Sequence, residues 1–220
     1  MSVIKSSIAR KIAMSLSALF LLLFLLQHFL INFTSVVSED SFNEISHFMG
    51  TNPIIQFLIQ PVLMVGVVFH FLMGFVLEIQ NNKARPVKYV VNKGSANSSW
   101  MSRNMLFSGV FILIFLAIHL IDFWFPEMNY KYIQFMPEDP NRYYHELVEH
   151  FVPIWRVALY VIGFVFLSLH LMHGFQSAFQ SMGWRHPKYT PVIELLGKIY
   201  AIVVPVGFIF IALFHHFSHH

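Results

Sequence analysis

The sequence predicts an all-α membrane protein built as a bundle of five transmembrane helices. Of its 220 residues, 56% are hydrophobic and only 11% are charged, less than half the charged share that is usual in soluble domains. The mean hydropathy is +0.61, and five apolar segments are long enough to cross about 30 Å of hydrocarbon. We expect these segments to be helices, because lipid supplies no hydrogen-bond partners and the segments exceed the length of barrel strands.

The five apolar segments define a single transmembrane domain over residues 1–220. They lie at about residues 11–33, 53–77, 105–125, 151–179 and 191–217. The first segment follows basic residues, as a signal peptide would, but its apolar core is longer and no small-residue cleavage site follows, so we expect a retained anchor. The connections are too short for independent cores, and no internal repeat is visible. Ser41 and Glu44 have capping-box spacing, which predicts a short helix in the first connection.

The charges of the connections alternate in sign along the chain. Basic residues precede the first segment, acidic residues occupy the first and third connections, and the second and fourth connections are basic. The basic residues before the first and third segments are Lys5, Arg10, Lys11, Lys83, Arg85, Lys88, Lys93 and Arg103. Because basic connections stay in the cytoplasm, we expect a cytoplasmic N-terminus and an external C-terminus. No nucleic-acid partner is expected, despite a net charge of +3.

The absence of cysteine narrows the possible chemistry. It excludes disulfides, thiolate nucleophiles, iron–sulfur ligation by this chain and covalent c-type haem. Histidine is abundant instead, and four of the apolar segments carry it within the run: His28, His70, His119, and His170 with His173. Ionisable side chains at such depth are costly and usually functional. One such histidine could simply bond a carbonyl or pack as a neutral ring, whereas four together favour a functional role.

The depths of these histidines predict two pairs. Each of His28, His70, His119 and His170 lies roughly two-thirds to three-quarters of the way along its own segment, and successive segments run in opposite directions. His28 and His119 should therefore meet near the outer face, and His70 and His170 near the cytoplasm, at levels about 12 Å apart. Two neutral imidazoles from facing helices complete the coordination of a haem iron, so the pattern predicts two haems b.

Other metals suit this pattern less well. Zinc needs three or four ligands at one level. Non-haem iron or copper usually draws in carboxylates, and no Asp or Glu lies in the central portion of any segment. The acidic residues Glu78, Asp122 and Glu194 sit near helix ends, where an interfacial position is equally plausible.

Residues close to these histidines offer further candidates. Gly66 and Gly74 flank His70 by four positions and Gly174 follows His170, which would leave room for a macrocycle or simply serve helix contacts. His173 could replace His170 as the ligand. We prefer His170 because of its glycine, which leaves His173 to a haem propionate, to quinone or to the interface.

Arg156 lies near the outer end of the fourth segment. Its guanidinium could pair with a haem propionate, or the side chain could extend to the membrane surface. We favour the propionate.

Five stretches together resemble a known family. They are LLQHFLIN around His28, FNEISHFM in the first connection, FHFLMGF around His70, AIHLIDFW around His119 and LHLMHGFQSAFQSMGW around His170. In this order, over nearly the whole chain, they resemble the cytochrome b membrane anchor of succinate:quinone oxidoreductases, of the five-helix, di-haem, single-anchor kind found with menaquinone in many bacteria. The resemblance implies that these four histidines are the axial ligands of two haems b. One departure is the order Met182, Gly183, Trp184, where related chains often have Trp before Gly.

The resemblance also implies partners and a location. It implies a succinate dehydrogenase or fumarate reductase complex of the tricarboxylic acid cycle, in the bacterial cytoplasmic membrane, with a flavoprotein and an iron–sulfur subunit. Electrons would reach the haem of His70 and His170 first and then that of His28 and His119, and quinone would react within the membrane lipid. The chain would have no soluble catalytic site of its own. Two alternatives stay open: the cytochrome b subunit of a hydrogenase or formate dehydrogenase, and a transporter that uses the histidines as a relay for protons or metal ions.

Overall fold

The computed structural model describes residues 6–83 and 104–218. Within them every regular element is helical, and five helices are long and apolar enough to cross a membrane: Ser7–Val37, Ile55–Asn81, Met105–Ile133, Ile154–Ser181 and Thr190–Ser218. The predicted all-α bundle of five transmembrane helices is confirmed, and the chain is a multi-pass membrane protein.

Seven helical elements follow one another along the described chain. They are α1 (Ser7–Val37), α2 (Glu39–Thr51), α3 (a π turn at Ile55–Ile59 and then Gln60–Lys83), α4 (Met105–His119, continued through π and α turns to Ile133), α5 (Arg142–Phe151), α6 (Ile154–Ser181) and α7 (Thr190–Ser218). The short helices α2 and α5 connect the long ones and pack against each other.

Four of the long helices form a square in cross-section. α1 packs against α3 and α6, and α4 also packs against α3 and α6, so α1 lies opposite α4 and α3 lies opposite α6. α7 packs outside this square, against α1 and α6. Side chains that point inward from opposite corners therefore meet in the middle of the bundle, where cofactor sites of helical bundles are built.

The buried apolar core lies mainly on α6 and α7, toward the end of the bundle that α2 and α5 cover. Its members include Phe42, Leu147, Phe151, Val157, Tyr160, Phe164, Val204, Phe208, Ile211 and Ala212. On the outer surface, large side chains such as Leu23, Phe57 and Val65 are exposed. Lipid tails are as apolar as these side chains, so such a surface suits a membrane.

Within the described residues, prolines follow two of the three π turns at which α3 and α4 widen. The π turns Ile55–Ile59 and Leu120–Trp124 each end two residues before a proline, Pro61 and Pro126. Proline has no N–H to donate to the carbonyl four residues earlier, and local widening lets the helix continue without that bond. The second π turn follows directly after His119 and lets α4 continue beyond it.

α4 and α6 depart from their predicted boundaries. α4 runs past its predicted end because Glu127 and Lys131, one turn apart, form an ion pair on it. α6 begins at Ile154, since Pro153 is its N-cap residue and Phe151 belongs to α5. At its other end, Gly183 adopts a φ of 81°, a left-handed conformation that glycine accepts at little cost.

The short helix predicted in the first connection is confirmed as α2, but its predicted cap is wrong. The Oγ of Ser38 accepts a hydrogen bond from the backbone N–H of Ser41 at 3.2 Å, so Ser38 is the N-cap and the helix begins two residues before Ser41. The Oδ1 of the buried Asn43 then accepts the backbone N–H of Tyr144 at 2.8 Å, which fixes α2 against α5.

Several residues behind the predicted orientation lie outside the described part of the chain. They are Lys5, Arg85, Lys88, Lys93, Arg103, His219 and His220. The cytoplasmic position of the N-terminus therefore stays a prediction from charge alone.

Candidate functional site

The four histidines singled out in the sequence face one another in two pairs inside the square of helices. The rings of His28 on α1 and His119 on α4 have centroids 5.7 Å apart, with planes crossing at 85°. The rings of His70 on α3 and His170 on α6 have centroids 6.4 Å apart, with planes crossing at 70°. Each pair thus joins opposite corners of the square, and the structure brings together the same partners as the depth argument.

The two pairs lie at different levels. Ser17 on α1 contacts His70 and precedes His28 by 11 residues, and Ser108 on α4 contacts His170 and precedes His119 by 11 residues. At about 1.5 Å per residue, both helices place the levels about 16 Å apart, somewhat more than the spacing expected from the sequence. We call His70 and His170 the proximal pair, because they lie nearer the end of the bundle where α1 begins, and His28 and His119 the distal pair.

The spacing within each pair suits one metal ion between two imidazoles. With a metal–nitrogen bond of about 2 Å on each side, opposite imidazole rings have centroids about 6 Å apart. The observed 5.7 and 6.4 Å lie on either side of that value. Ring planes that both contain the ligand axis can adopt any mutual angle, so crossings of 85° and 70° are compatible with axial ligation.

The number of ligands at each level also suits a porphyrin iron, which takes four nitrogens from the macrocycle and needs only two from the protein. Within residues 6–83 and 104–218, no group of three or more His, Asp or Glu side chains is placed to hold a metal ion. The residues present therefore fit two haems, each held by one histidine pair.

The proximal rings are hydrogen-bonded to serines of the neighbouring helix. The Oγ of Ser17 lies 3.1 Å from Nδ1 of His70, and the Oγ of Ser108 lies 3.2 Å from Nδ1 of His170. In both imidazoles the nitrogen in contact with serine is Nδ1, so Nε2 is the nitrogen without a serine contact.

The distal rings are held mainly by aromatic packing. His28 stacks on Phe24 with centroids 5.5 Å apart and lies 5.7 Å from Phe208, while His119 lies 5.2 Å from Phe123. The side-chain amide of Asn32 donates to the backbone carbonyl of His28 at 2.8 Å, and its distances to the ring nitrogens are 3.4 and 3.5 Å. Aromatic surroundings of this kind suit a flat apolar macrocycle.

Glycines lie against one proximal ligand. A Cβ built on Gly109 would lie 3.7 Å from the His170 ring, and one built on Gly174 would lie 4.0 Å from it. Gly174 was expected from the sequence, but Gly109 was not. The ring that faces His70 is that of His170; the half-buried His173 is left as a predicted neighbour of a propionate or quinone.

Gly66 and Gly74, the two glycines that flank His70, lie against apolar side chains of α1. A Cβ on Gly66 would lie 3.1 Å from Phe20, and one on Gly74 would lie 3.7 Å from Met14. Their proposed service to a macrocycle stays a prediction.

Asp122 is buried between helices, and its interfacial depth in the membrane stays a prediction. Its Oδ1 accepts from the guanidinium of Arg156, and its Oδ2 accepts the hydroxyl of Tyr160 at 2.8 Å. A buried carboxylate is tolerated when it is paired and hydrogen-bonded in this way. The sequence is consistent with this ion pair, because Asp122 and Arg156 lie near the same end of successive antiparallel spans.

The predicted role of Arg156 at a propionate stays a prediction. In this structure its guanidinium contacts Asp122 and lies 4.4 Å from the centroid of the Trp155 ring.

Ser17 and Ser108, which contact the proximal pair, were not predicted from the sequence, although a repeated spacing distinguishes them. Met14, Ser17 and His28 on α1 have the same spacing as Met105, Ser108 and His119 on α4. α1 and α4 therefore share the spacing Met-x2-Ser-x10-His.

No family model, curated protein or solved structure matches the chain. Its function is therefore inferred from the histidine geometry and from the sequence motifs that surround it.

Proposed function

We propose that the chain is the di-haem cytochrome b membrane anchor of a succinate:quinone oxidoreductase, either a succinate dehydrogenase or a quinol:fumarate reductase. The observation that carries the proposal is the arrangement of four histidines from four membrane-spanning helices in two facing pairs, with ring centroids 5.7 and 6.4 Å apart. Each pair would hold one haem b. No other described residues place histidines from opposite helices face to face in this way.

The geometry favours electron transfer over other haem chemistry. When bound, a haem supplies reversible one-electron redox chemistry. A haem held between two histidines would have no position left open for a substrate, so electron transfer is the chemistry that this chain's residues would support. The helices themselves contribute aromatic side chains that pack around His28 and His119.

The assignment to succinate and fumarate chemistry rests on the sequence motifs. The five stretches from LLQHFLIN to LHLMHGFQSAFQSMGW, in order along the chain, resemble those of the single-anchor family. On that basis the partners are a flavoprotein and an iron–sulfur subunit, and the electron acceptor or donor in the lipid is a quinone, most simply menaquinone. The same resemblance favours a bacterial cytoplasmic membrane location, and the charge of the connections favours an N-terminus on the cytoplasmic side, where the soluble partners would bind.

The first test is a reduced-minus-oxidised spectrum of the purified full chain, expressed with ample haem, together with a haem determination. We expect b-type bands and two haems per chain. A colourless chain would overturn the proposal and would favour the histidine-relay transporter instead.

Single replacements then assign the two haems. His28→Ala or His119→Ala should remove the distal haem and spare the proximal one, and His70→Ala or His170→Ala should do the converse. His145→Ala is the matched control, because His145 is exposed on α5 and pairs only with Glu149, four residues away. Loss of haem in His173→Ala but not in His170→Ala would contradict the choice of ligand.

Co-purifying subunits test the choice of complex. A flavoprotein and an iron–sulfur protein would support the proposal. A nickel or molybdenum protein in their place would assign the chain to a hydrogenase or a formate dehydrogenase.

A further inference from the structure

The hydroxyls of Ser17 and Ser108 each serve two contacts at once. Ser17 donates its single hydrogen to the backbone carbonyl of Met14, at 2.7 Å, and Ser108 donates to that of Met105, at 2.9 Å. The same oxygens lie 3.1 and 3.2 Å from Nδ1 of His70 and His170. With the serine hydrogens on these carbonyls, the serine oxygens are left to accept, and Nδ1 of each imidazole would be the donor.

This assignment fixes the tautomer of both proximal rings. A neutral imidazole carries one N–H, and a proton on Nδ1 leaves the lone pair on Nε2. Both His70 and His170 are then presented with Nε2 ready to bind a metal and with the ring held against rotation. Metal-binding histidines are commonly oriented by such a bond from the other ring nitrogen.

The same arrangement is built twice, which makes a chance contact a poor explanation. Ser17 on α1 reaches α3, and Ser108 on α4 reaches α6, so a rotation that exchanges α1 with α4 also exchanges α3 with α6. The neighbouring contacts obey the same rotation. Met14 lies 3.7 Å from a Cβ built on Gly74, and Met105 lies 3.3 Å from a Cβ built on Gly174.

We propose that Ser17 and Ser108 are a matched pair of positioning residues, which hold His70 and His170 in the Nδ1-protonated form and tune the redox potential of the haem between them. The inference rests on the proposed function. It also makes the two sites unequal, because packing and not serine holds His28 and His119. Acceptance of the Nδ1 proton makes an imidazole a stronger donor to the metal, which favours the ferric state.

The size of the expected shift in midpoint potential follows from what is typical when a hydrogen bond to a metal-binding histidine is removed. Their removal typically changes metal affinity by about 10- to 100-fold. If Ser17→Ala lowers the preference for ferric over ferrous haem about tenfold, the midpoint potential of the proximal haem rises by about 59 mV for a one-electron couple. Ser108→Ala should act in the same direction, and the distal haem should not move.

The test is a redox titration of the full chain, with the two haems assigned beforehand by His70→Ala. Ser17→Ala and Ser108→Ala are compared with Ser17→Thr and Ser108→Thr, which keep a hydroxyl and should restore the wild-type potential. Thr34→Val is the matched control, because Thr34 donates to the carbonyl of Ile31 at 2.6 Å, with no histidine contact described. The haem content of every variant is measured alongside.

A positive shift of the proximal haem alone, or loss of that haem alone with the distal haem retained, would support the positioning role. Unchanged potentials, a shift of the distal haem, or loss of both haems from the alanine variants would overturn it. None of these outcomes resembles failure of the proposed function, since that failure would already appear as a colourless wild-type chain.

Discussion

Breaking the buried ion pair between Asp122 and Arg156 should lower the free energy of unfolding by an amount that depends on which of the two residues is replaced. The Asp122 side chain is 2% exposed and that of Arg156 is 23% exposed. Arg156→Met therefore strands a buried carboxylate, which costs about 3–5 kcal/mol. Asp122→Asn leaves a cation that can extend toward the membrane surface, so we expect only about 1–3 kcal/mol.

Two further variants complete this prediction. Tyr160→Phe removes one hydrogen bond to the charged carboxylate and should cost about 1.5–3 kcal/mol. The double variant Arg156→Met with Asp122→Asn should cost less than the sum of the single changes, because no uncompensated charge remains.

The assay is equilibrium unfolding of the full chain in mixed detergent micelles, followed by circular dichroism. Glu149→Gln is the control, because Glu149 and its partner His145 are both exposed, and such pairs contribute about 0–1 kcal/mol. The reasoning would be refuted if Arg156→Met cost no more than Asp122→Asn, or if the double variant cost as much as the two single variants together.

Two other predictions concern packing and pH. Gly163→Ala drives a Cβ into the Phe115 ring and should destabilise the chain by about 1–3 kcal/mol in the same unfolding assay, whereas Gly74→Ala meets only the end of Met14 at 3.7 Å and should be nearly neutral. Burial raises the pKa of Tyr143 on α5 to about 12, so its phenol should titrate late in an alkaline absorbance titration, and Tyr143→Phe should reduce the late component by one phenol. Because the folded pKa lies above the unfolded one, the stability that Tyr143 contributes is complete below pH about 10 and is lost as the pH rises toward 12.

Much of the fold was predictable, because each span needs an apolar run long enough to cross the thickness of the membrane. The five spans follow from apolar runs, and the partners of each histidine follow from depth and alternating direction. Boundaries were less predictable where polar groups satisfy each other in three dimensions. Glu127 and Lys131 let α4 extend beyond the apolar run, and the cap at Ser38 depends on a backbone conformation that no residue type dictates.

The less predictable parts of the site are contacts between helices. Serine is common in membrane helices, so Ser17 and Ser108 carry little information until α1 is placed beside α3 and α4 beside α6. The partner of Asp122 was unpredictable for a related reason, since its ion pair with Arg156 is visible only once the two helices are placed side by side.

Since the histidine pairs run along the two diagonals of the square, each haem would act as a cross-brace between helices that otherwise have few contacts with each other. Side-chain packing joins the adjacent helices of the square. The resistance of the square to shear would depend on the haems, which would join the opposite helices. Cofactor insertion would then be a step in assembly as well as in redox function, and a chain that lacks one haem would keep stiffness along only one diagonal.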